Sequence, residues 1–410
     1  MLDIRLIRSD ADAVRAALAR RGDVAADAID QVLALDAQWR EITVALEELR
    51  AEQNRFNKGR TGAPTSAERD QMAASAARGR ELTDDETAVR AQLDELLLGL
   101  PNTPFEDSPP TDTVLREVGE AGKTGLDHLA LAGSMVDMER GAALSGSRFV
   151  YLRGDMVMLE LALVQYAMRK LIGFGFEPVI PPVLVRERAL YGTGYLPDTE
   201  QQIYQLRDDD LYLVGTSEVA LASLHRDEIL AAEALPLRYA GFSPCFRREA
   251  GSAGKDTRGM FRVHQFDKVE MFAFVEPSES VAEHERLLGI EESILQELNI
   301  PYRVVAIAVD DLGASAAKKY DCEAWMPGQE QYREVTSCSN TTDYQARRLD
   351  VRYRGADGKP AQVHTLNGTA VTWRHMIALL ENGQQDDGTV VLPEVLVGFG
   401  APATISAATA

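Results

Sequence analysis

Residues 245–270 read CFRREAGSAGKDTRGMFRVHQFDKVE and say more about the fold than any other part of the chain. This segment joins two strand-like runs through a long polar loop that is rich in Arg and Gly. Guanidinium groups bind oxyanions through two parallel hydrogen bonds, and glycine allows the backbone to approach a ligand closely. The chain has neither a Walker-type G-x-x-x-x-G-K-[ST] motif nor a G-x-G-x-x-G turn between a strand and a helix. The segment therefore predicts a phosphate site built by side chains on a sheet.

The sequence on both sides of this segment predicts the rest of a sheet. From about residue 114, short β-branched or aromatic runs are separated by Gly and Pro, a pattern typical of strands. The predicted strands are 149–152, 211–214, 269–275, 302–307 and 351–353, and predicted helices alternate with them at 159–171, 280–298 and 375–381. The spacing is not that of regular βαβ units. We therefore predict an α+β fold, with a mostly antiparallel sheet and flanking helices.

The N-terminal quarter of the chain has a heptad pattern. From Val32, positions 35, 39, 42, 46, 49, 53 and 56 follow in steps of three and four, and a second series runs from 72 to 100 in the same steps. Ser75, Gly79 and Glu86 are weak members of the second series. Two helices joined by a short turn fold back antiparallel, so we predict a coiled-coil hairpin over about 28–100, roughly 45 Å long. Prolines between 101 and 110 mark a boundary between domains at 1–105 and 112–410.

The charge of the chain is unevenly distributed. Its net charge of −21, from 43 basic and 64 acidic side chains, argues against a broad surface that coats nucleic acid. Between residues 50 and 80, however, the net charge is +4, and the basic residues there are Arg50, Arg55, Lys58, Arg60, Arg69, Arg78 and Arg80. A helical hairpin can also be a dimerisation or scaffolding device. A basic tip on an acidic protein favours a polyanion, so we predict that these residues contact nucleic acid.

Composition excludes several classes of protein. An apolar content of 45% and a charged content of 26% are ordinary for a globular chain. The three cysteines are too few for a disulfide framework and form no C-x-x-C pair, so we expect no zinc site. There is no run of about 18 apolar residues and no signal-peptide layout at the start. These features predict a cytoplasmic protein with no membrane partner.

Seven segments together resemble a known family. They are MLDIR (1–5), SGSRF (145–149), VIPP (179–182), GTGYLP (192–197), FRRE with HQFDKVE (246–249 and 264–270), QARR (345–348) and TLNGT (365–369). In this order they resemble class II aminoacyl-tRNA synthetases, in the form of the bacterial seryl-tRNA synthetases, up to about residue 396. The resemblance implies a class II catalytic domain with an antiparallel sheet of six to eight strands. It also implies an N-terminal arm that binds tRNA and a homodimer whose interface includes the segment ending at Pro181 and Pro182.

The resemblance also implies a reaction and its residues. Serine and ATP would give seryl-adenylate and pyrophosphate, and the seryl group would then pass to tRNA. Three residues would be catalytic: Arg247 on the α-phosphate, Arg374 on the γ-phosphate, and Glu334 through Mg²⁺. The implied ATP site contains Arg247, Arg248, Glu249, Val263, Glu334, Val335, Thr336, Ser337 and Arg374. The implied serine site contains Thr216, Ser217, Glu218, Glu270 and Thr369, and the implied Mg²⁺ site contains Glu334 and Ser337.

The implied substrates are ATP and L-serine, the cofactor is Mg²⁺, and the acceptor is tRNA(Ser), with tRNA(Sec) as a further one. Three alternatives stay open at this point. The chain could be a specialised or self-resistance paralogue, an amino acid:carrier-protein ligase of the same fold, or an inactive homologue that binds RNA. The intact arm argues against the carrier-protein ligase. The presence of Arg247, Glu270, Glu334 and Arg374 argues against an inactive homologue.

Overall fold

We analysed a computed structural model of the chain, which describes residues 1–22, 26–58, 62, 64–197, 202–250 and 258–406. The described chain divides into two compact units, Met1–Thr103 and Pro104–Ala410. Among the helices in these ranges, none combines the length and the apolar character needed to cross a bilayer.

The first unit is helical. Its elements are α1 (Ile4–Ser9), α2 (Ala11–Ala19), α3 (Ala26–Lys58) and α4 (Ser66–Gly99). Helix α4 begins at Ser66 because Thr65 and Glu68 form a capping box, in which each side chain accepts a hydrogen bond from the other residue's backbone N–H. Buried aliphatic side chains, including Ile7, Val32 and Leu93, hold α1 and α2 against the base of the two long helices.

Helices α3 and α4 form the predicted antiparallel coiled-coil hairpin. The side-chain amide of Gln53 donates a hydrogen bond to the Ser75 hydroxyl at 2.9 Å. One turn away, the Cδ2 atom of Leu49 lies 3.5 Å from the point where a Cβ on Gly79 would stand. Ser75 and Gly79 are therefore true contact positions between the helices. The prediction of a helical arm is confirmed.

The second unit combines short helices with many strands. Its helices are α5 (His128–Ala132), α6 (Met138–Ser145), α7 (Asp155–Gly173), α8 (Glu187–Thr193), α9 (Glu218–Ala222), α10 (Ser280–Glu297), α11 (Tyr344–Leu349), α12 (Trp373–Gly383) and α13 (Glu394–Val397). Its strands are β1 (Thr113–Val118), β2 (Val136–Asp137), β3 (Tyr151–Leu152), β4 (Glu177–Val179), β5 (Leu184–Val185), β6 (Gln205–Leu206), β7 (Leu211–Leu213), β8 (Ile229–Leu230), β9 (Leu237–Phe246), β10 (Gln265–Val275), β11 (Tyr302–Ala306), β12 (Lys318–Met326), β13 (Gln331–Asn340), β14 (Arg352–Arg354), β15 (Pro360–Gln362), β16 (His364–Thr372), β17 (Thr389–Val391) and β18 (Thr404–Ser406).

An eight-stranded sheet organises this unit. Its strand order is β1-β11-β12-β13-β16-β10-β9-β4. Neighbouring strands run antiparallel except for the pair β4 and β9, which is parallel. The predicted α+β class, with a mostly antiparallel sheet, is confirmed. Each predicted strand contains or overlaps an observed one, but of the eight strands of the large sheet only β10 and β11 are among the predicted ranges.

The two faces of the sheet have different environments because successive side chains on a strand point to opposite sides. On β10, Val269 and Met271 join a large apolar core that also contains buried residues of α7, α10 and α12. Their neighbours Phe266, Lys268 and Glu270 line an open cavity on the other face. We call these the core face and the cavity face.

Candidate active site

A cavity of about 710 Å³ opens on the cavity face, between the central strands and the beginning of α12. Most of the predicted site residues line it, although they come from segments far apart in the chain. Those that do are Glu218, Arg247, Glu249, Val263, Glu270, Glu334, Val335, Ser337, Thr369 and Arg374. The fold thus gathers the predicted ATP, serine and Mg²⁺ residues around one space.

Four predicted residues lie outside the cavity lining. Thr216 is buried, and its hydroxyl donates a hydrogen bond to Glu270 Oε2 at 3.1 Å. Ser217 is also buried, with its hydroxyl 3.5 Å from the Gly241 carbonyl oxygen. Arg248 is exposed beside the site. Thr336 points to the core face, where its hydroxyl donates to a carboxylate of α10 at 2.9 Å.

Arg247 directly follows β9 and is fixed by its neighbours. Its backbone N–H donates to the His264 carbonyl oxygen at 3.0 Å, and the His264 ring donates back to the Arg247 carbonyl oxygen at 2.8 Å. The Nε atom of the guanidinium donates to the Gly215 carbonyl oxygen at 3.2 Å. The guanidinium carbon lies 5.4 Å from the centre of the Phe266 ring. This geometry leaves the outer nitrogens of Arg247 available to an anion in the cavity.

Arg374 stands at the start of α12, where the Thr372 hydroxyl accepts a hydrogen bond from its backbone N–H at 3.1 Å. Its Nη1 atom lies 3.0 Å from Glu334 Oε2 and donates to the Glu334 carbonyl oxygen at 3.0 Å. Its guanidinium carbon lies 4.5 Å from the centre of the Phe261 ring, and that of Arg333 lies 3.9 Å from the same ring. The Phe261 ring is thus in cation–π contact with two guanidinium groups.

Glu334 is the carboxylate best suited to a divalent cation. Burial alone would raise its pKa, but Arg374, Lys319 and Arg247 reverse the effect and hold the pKa at about 2. Glu334 is therefore ionised near neutral pH, and the Ser337 hydroxyl lines the same cavity. Within the described residues, no cluster of three or more His, Cys, Asp or Glu side chains could hold a metal alone. One carboxylate and one hydroxyl fit Mg²⁺, which takes oxygen ligands and completes its shell with phosphates and water.

The other end of the cavity is built around two acidic residues. Glu218 Oε1 accepts hydrogen bonds from Gln345 Nε2 at 2.7 Å and Asn367 Nδ2 at 3.0 Å, and Oε2 accepts from the Tyr195 hydroxyl at 2.8 Å. Burial and the nearby Glu270 raise the pKa of Glu218. Because these hydrogen bonds fix the position of Glu218, its carboxylate can select a small ligand by the ligand's own hydrogen-bonding groups.

Glu270 and Thr369 sit at a β-bulge. Glu270 forms a salt bridge with Lys268, two residues earlier on the same face of β10. The pairing of β10 with β16 shifts register between Val269 and Glu270, so that Glu270 lies opposite Thr369. A bulge re-aims the side chains beside it, and here both line the cavity.

Several cavity residues had no assigned role in the sequence analysis. They are Tyr195, Phe261, Lys268, Lys319 and Asn367, which line the cavity, and Gln345, which supports Glu218 from behind. The period-two spacing of Lys268 and Glu270 on a predicted strand could have placed Lys268 on the same face. The three partners of Glu218 come from distant segments, and no local pattern in the sequence indicates them.

The predicted nucleic-acid surface lies on the first unit. Its described members, Arg50, Arg55, Lys58, Arg69, Arg78 and Arg80, are all exposed on α3 and α4. Arg78 forms an exposed salt bridge with Glu81 at 2.6 Å. Arg60 lies outside the described residues. Exposed cations that are not held in a network are available to phosphates.

Two family models match the chain. Residues 1–104 match the seryl-tRNA synthetase N-terminal domain, and residues 201–383 match the tRNA synthetase class II core domain (G, H, P, S and T). A protein named serine–tRNA ligase from Thermobifida fusca is 48% identical, over 97% of this chain and 97% of its own.

Solved structures give a similar result. The seryl-tRNA synthetase from Pyrococcus horikoshii complexed with ATP has a TM-score of 0.93 and 41% identity, and the match covers 99% of both chains. The cytoplasmic serine–tRNA ligase from Naegleria fowleri in complex with AMP has a TM-score of 0.89 and 31% identity, over 100% of this chain and 99% of that one. The likeness therefore extends over the helical hairpin as well as the large sheet.

Proposed function

The chain belongs to the seryl-tRNA synthetase family of class II aminoacyl-tRNA synthetases, and on this premise we propose that its cavity activates L-serine with ATP and transfers it to tRNA. The family is the one that the seven sequence segments predicted. The proposal is carried by one observation: a single cavity has cationic side chains at one end and buried, hydrogen-bonded carboxylates at the other.

The cationic end suits the first step of the reaction. An oxygen of the serine carboxylate attacks the α-phosphorus of ATP, the bond to the β-phosphate breaks, and pyrophosphate leaves. Negative charge grows on the α-phosphate and on the leaving group, so Arg247 and Arg374 offset both the initial repulsion and the developing charge. The substrate carboxylate is already ionised near neutral pH, and the step needs no side-chain base.

The acidic end suits serine. Glu270 and Glu218 provide carboxylates for the ammonium group, and the Thr369 hydroxyl with these carboxylates can bond the substrate hydroxyl. A site built to bond a hydroxyl rejects alanine strongly, because its own buried polar groups would lose their partner. Rejection of threonine depends instead on the size of the pocket.

Glu334 and Ser337 would hold Mg²⁺ with the phosphates of ATP. Bound Mg²⁺ would neutralise charge on the phosphate oxygens and on the pyrophosphate that leaves. The low pKa of Glu334 keeps its carboxylate ionised for this role at every physiological pH. The ion pair with Arg374 would be exchanged in part for contacts with ATP and the cation.

We also propose that the N-terminal domain, 1–105, binds tRNA(Ser), and tRNA(Sec) where it is present, through the basic tip of the α3–α4 hairpin. The support is the exposure of six cations on a protein of net charge −21. Replacing residues 30–96 by a short linker should leave serine-dependent ATP–pyrophosphate exchange intact and abolish tRNA charging. Unimpaired charging by this variant would show that the hairpin is not needed for RNA recognition.

We propose a homodimer for the catalytic unit. Ile180, next to Pro181 and Pro182, is 81% exposed, and Met158 and Leu161 are exposed on α7. Exposed aliphatic side chains of this size favour burial against another protein surface, and a second copy of the chain is the expected partner. Light scattering on the purified chain should give twice the monomer mass. A monomer at micromolar concentration would contradict this proposal.

The proposed activity is tested by exchange and charging assays on the same preparation. Serine-dependent exchange of pyrophosphate into ATP, together with charging of tRNA(Ser), is the expected result. Alanine should give no measurable exchange. Exchange without charging would point to a carrier-protein ligase, and absence of exchange would point to an inactive RNA-binding homologue.

A further inference from the structure

A buried histidine outside the cavity lining, His128, connects helix α12 with the loop end at Met260, and both of these carry residues that line the cavity. The Nδ1 atom of His128, on α5, lies 3.0 Å from Glu381 Oε1, and its Nε2 atom accepts a hydrogen bond from the Met260 backbone N–H at 3.1 Å. Glu381 Oε2 accepts another from the Gly328 backbone N–H at 2.9 Å. His128 and Glu381 are 4% and 0% exposed.

These contacts assign the tautomer of the His128 ring. Because Met260 N–H is a donor, Nε2 must carry a lone pair, and the ring proton lies on Nδ1, where it is donated to Glu381. The loop approaches the ring closely at the residue before Met260. A Cβ on Gly259, whose φ is +80°, would stand 2.4 Å from His128 Nε2. Only glycine allows this approach without displacement of the loop.

The chain from Gly259 leads directly into the cavity wall. Met260 and Phe261 both line the cavity, and the guanidinium of Arg374 lies over the Phe261 ring. Arg374 and Glu381 both belong to α12 and are seven residues apart, so they lie on the same side of the helix, two turns from each other. The helix therefore holds this loop at two points: directly through Arg374 and Phe261, and through Glu381, His128 and Met260.

We propose that His128 is a positioning residue for ATP: it fixes the loop end at Met260 and Phe261 against α12, so that the wall of the ATP site is formed before the nucleotide binds. The inference deepens the proposed function and rests on it for the identity of the nucleotide. His128 itself does not line the cavity. Its effect passes through Met260 to Phe261.

Two substitutions of His128 separate positioning from packing. In H128N the side-chain amide can still donate to Glu381 from the Nδ1 position, but nothing accepts the Met260 N–H. In H128Q the longer side chain brings a carbonyl oxygen near the Nε2 position. We expect H128N to raise KM for ATP by about tenfold, the order expected for a buried donor left unpaired, with kcat and KM for serine nearly unchanged. H128Q should recover most of the affinity for ATP.

His225 provides a matched control. Its Nδ1 lies 2.8 Å from Glu228 Oε2 and its Nε2 lies 2.8 Å from the Tyr239 hydroxyl, the same pattern of one carboxylate and one further partner. His225 does not line the cavity, so H225N and H225Q should leave KM for ATP unchanged. An equal rise in KM for H128N and H128Q, or none in either, would overturn the proposal.

A second variant tests the same contact from the loop. G259A leaves His128 in place but forces the loop away from it, and it should also raise KM for ATP; an unchanged KM would overturn the proposal even if H128N fails to fold. ATP binding is measured directly by quenching of Trp373, which lines the cavity. If the wild-type chain bound ATP but showed no serine-dependent exchange, the proposed function would fail, while weaker ATP binding by H128N would still support the role of His128.

Discussion

Replacement of Arg247 by alanine is the sharpest test of the electrostatic argument. The orientation of Arg247 is fixed, because its backbone is paired with His264 and its Nε with Gly215. Loss of one preorganised donor from a developing anion lowers kcat by about 10²–10³, or about 3–4 kcal/mol of transition-state stabilisation. R247A should therefore lower kcat/KM for ATP–pyrophosphate exchange by at least about a hundredfold.

The same change has a smaller effect on folding. It removes the hydrogen bond to Gly215 and the contact with the Phe266 ring, together about 1–2 kcal/mol, which corresponds to a few degrees of Tm. Glu334 remains ionised because Arg374 and Lys319 still face it. Activity should thus fall far more than stability.

The assay is serine-dependent exchange, with Tm measured on the same samples. R247K should give an intermediate loss, since lysine keeps the charge but not the two-pronged geometry. Arg354 is an exposed arginine of β14 outside the cavity lining, and R354A should behave like the wild type. Exchange by R247A within about threefold of wild type would refute the assignment of Arg247 to the α-phosphate.

Three other changes test separate parts of the structure. The neighbours that hold the pKa of Glu334 at about 2 stabilise the fold above its ordinary pKa of 4.5, and this contribution is lost as the pH falls through 2. The difference in unfolding free energy between wild type and E334Q should therefore shrink below pH 4.5. A difference that stays constant with pH would contradict this prediction. Burial and Asp267 raise the pKa of Glu160, which accepts a hydrogen bond from the Trp373 indole, to about 8. The neutral form thus stabilises the fold fully below pH 4.5 and progressively less up to pH 8, so Trp373 fluorescence should titrate near pH 8 in the wild type and not in E160Q. G79A should raise the stability of the hairpin by about 0.5–1 kcal/mol, because alanine favours a helix over glycine and the added methyl would meet Leu49 at 3.5 Å, an ordinary contact distance. A lower Tm would show that the interface between the two helices has no room for the methyl.

The accuracy of the strand predictions depended on what each strand faces. Strands β10 and β11 were predicted because apolar and β-branched residues run through most of their length. Strands β12, β13 and β16 were absent from the prediction because polar residues interrupt their apolar pattern, among them Lys319, Ser337 and Asn367, which line the cavity. Bulges at Glu270 and after Cys322 interrupt the period-two pattern further. A strand whose polar site residues break the apolar run, as in β13 and β16, is therefore hard to find by hydrophobic patterning.

The candidate site was predictable where its residues are neighbours in sequence. The motif around Arg247 and the resemblance of the surrounding segments identified ten of the residues that line the cavity. The sequence could not indicate that Tyr195, Gln345 and Asn367 would all meet Glu218, since these contacts join segments more than a hundred residues apart in two of three cases. Nor could it indicate that Thr336 would turn to the core face, because this depends on the register of β13.

The sequence by itself determined the helical arm, the acidic charge with a basic tip, the class of sheet and the family. Each of these is carried by a period, a local composition or an ordered set of motifs, and none requires knowledge of which distant residues touch. The tertiary structure decided the salt bridge and hydrogen bonds at the acidic end of the cavity, the low pKa of Glu334 and the link from His128 to the cavity wall at Met260. These depend on distances of a few ångströms between side chains from different elements, and such distances are set only when the sheet register and the packing of helices on it are complete.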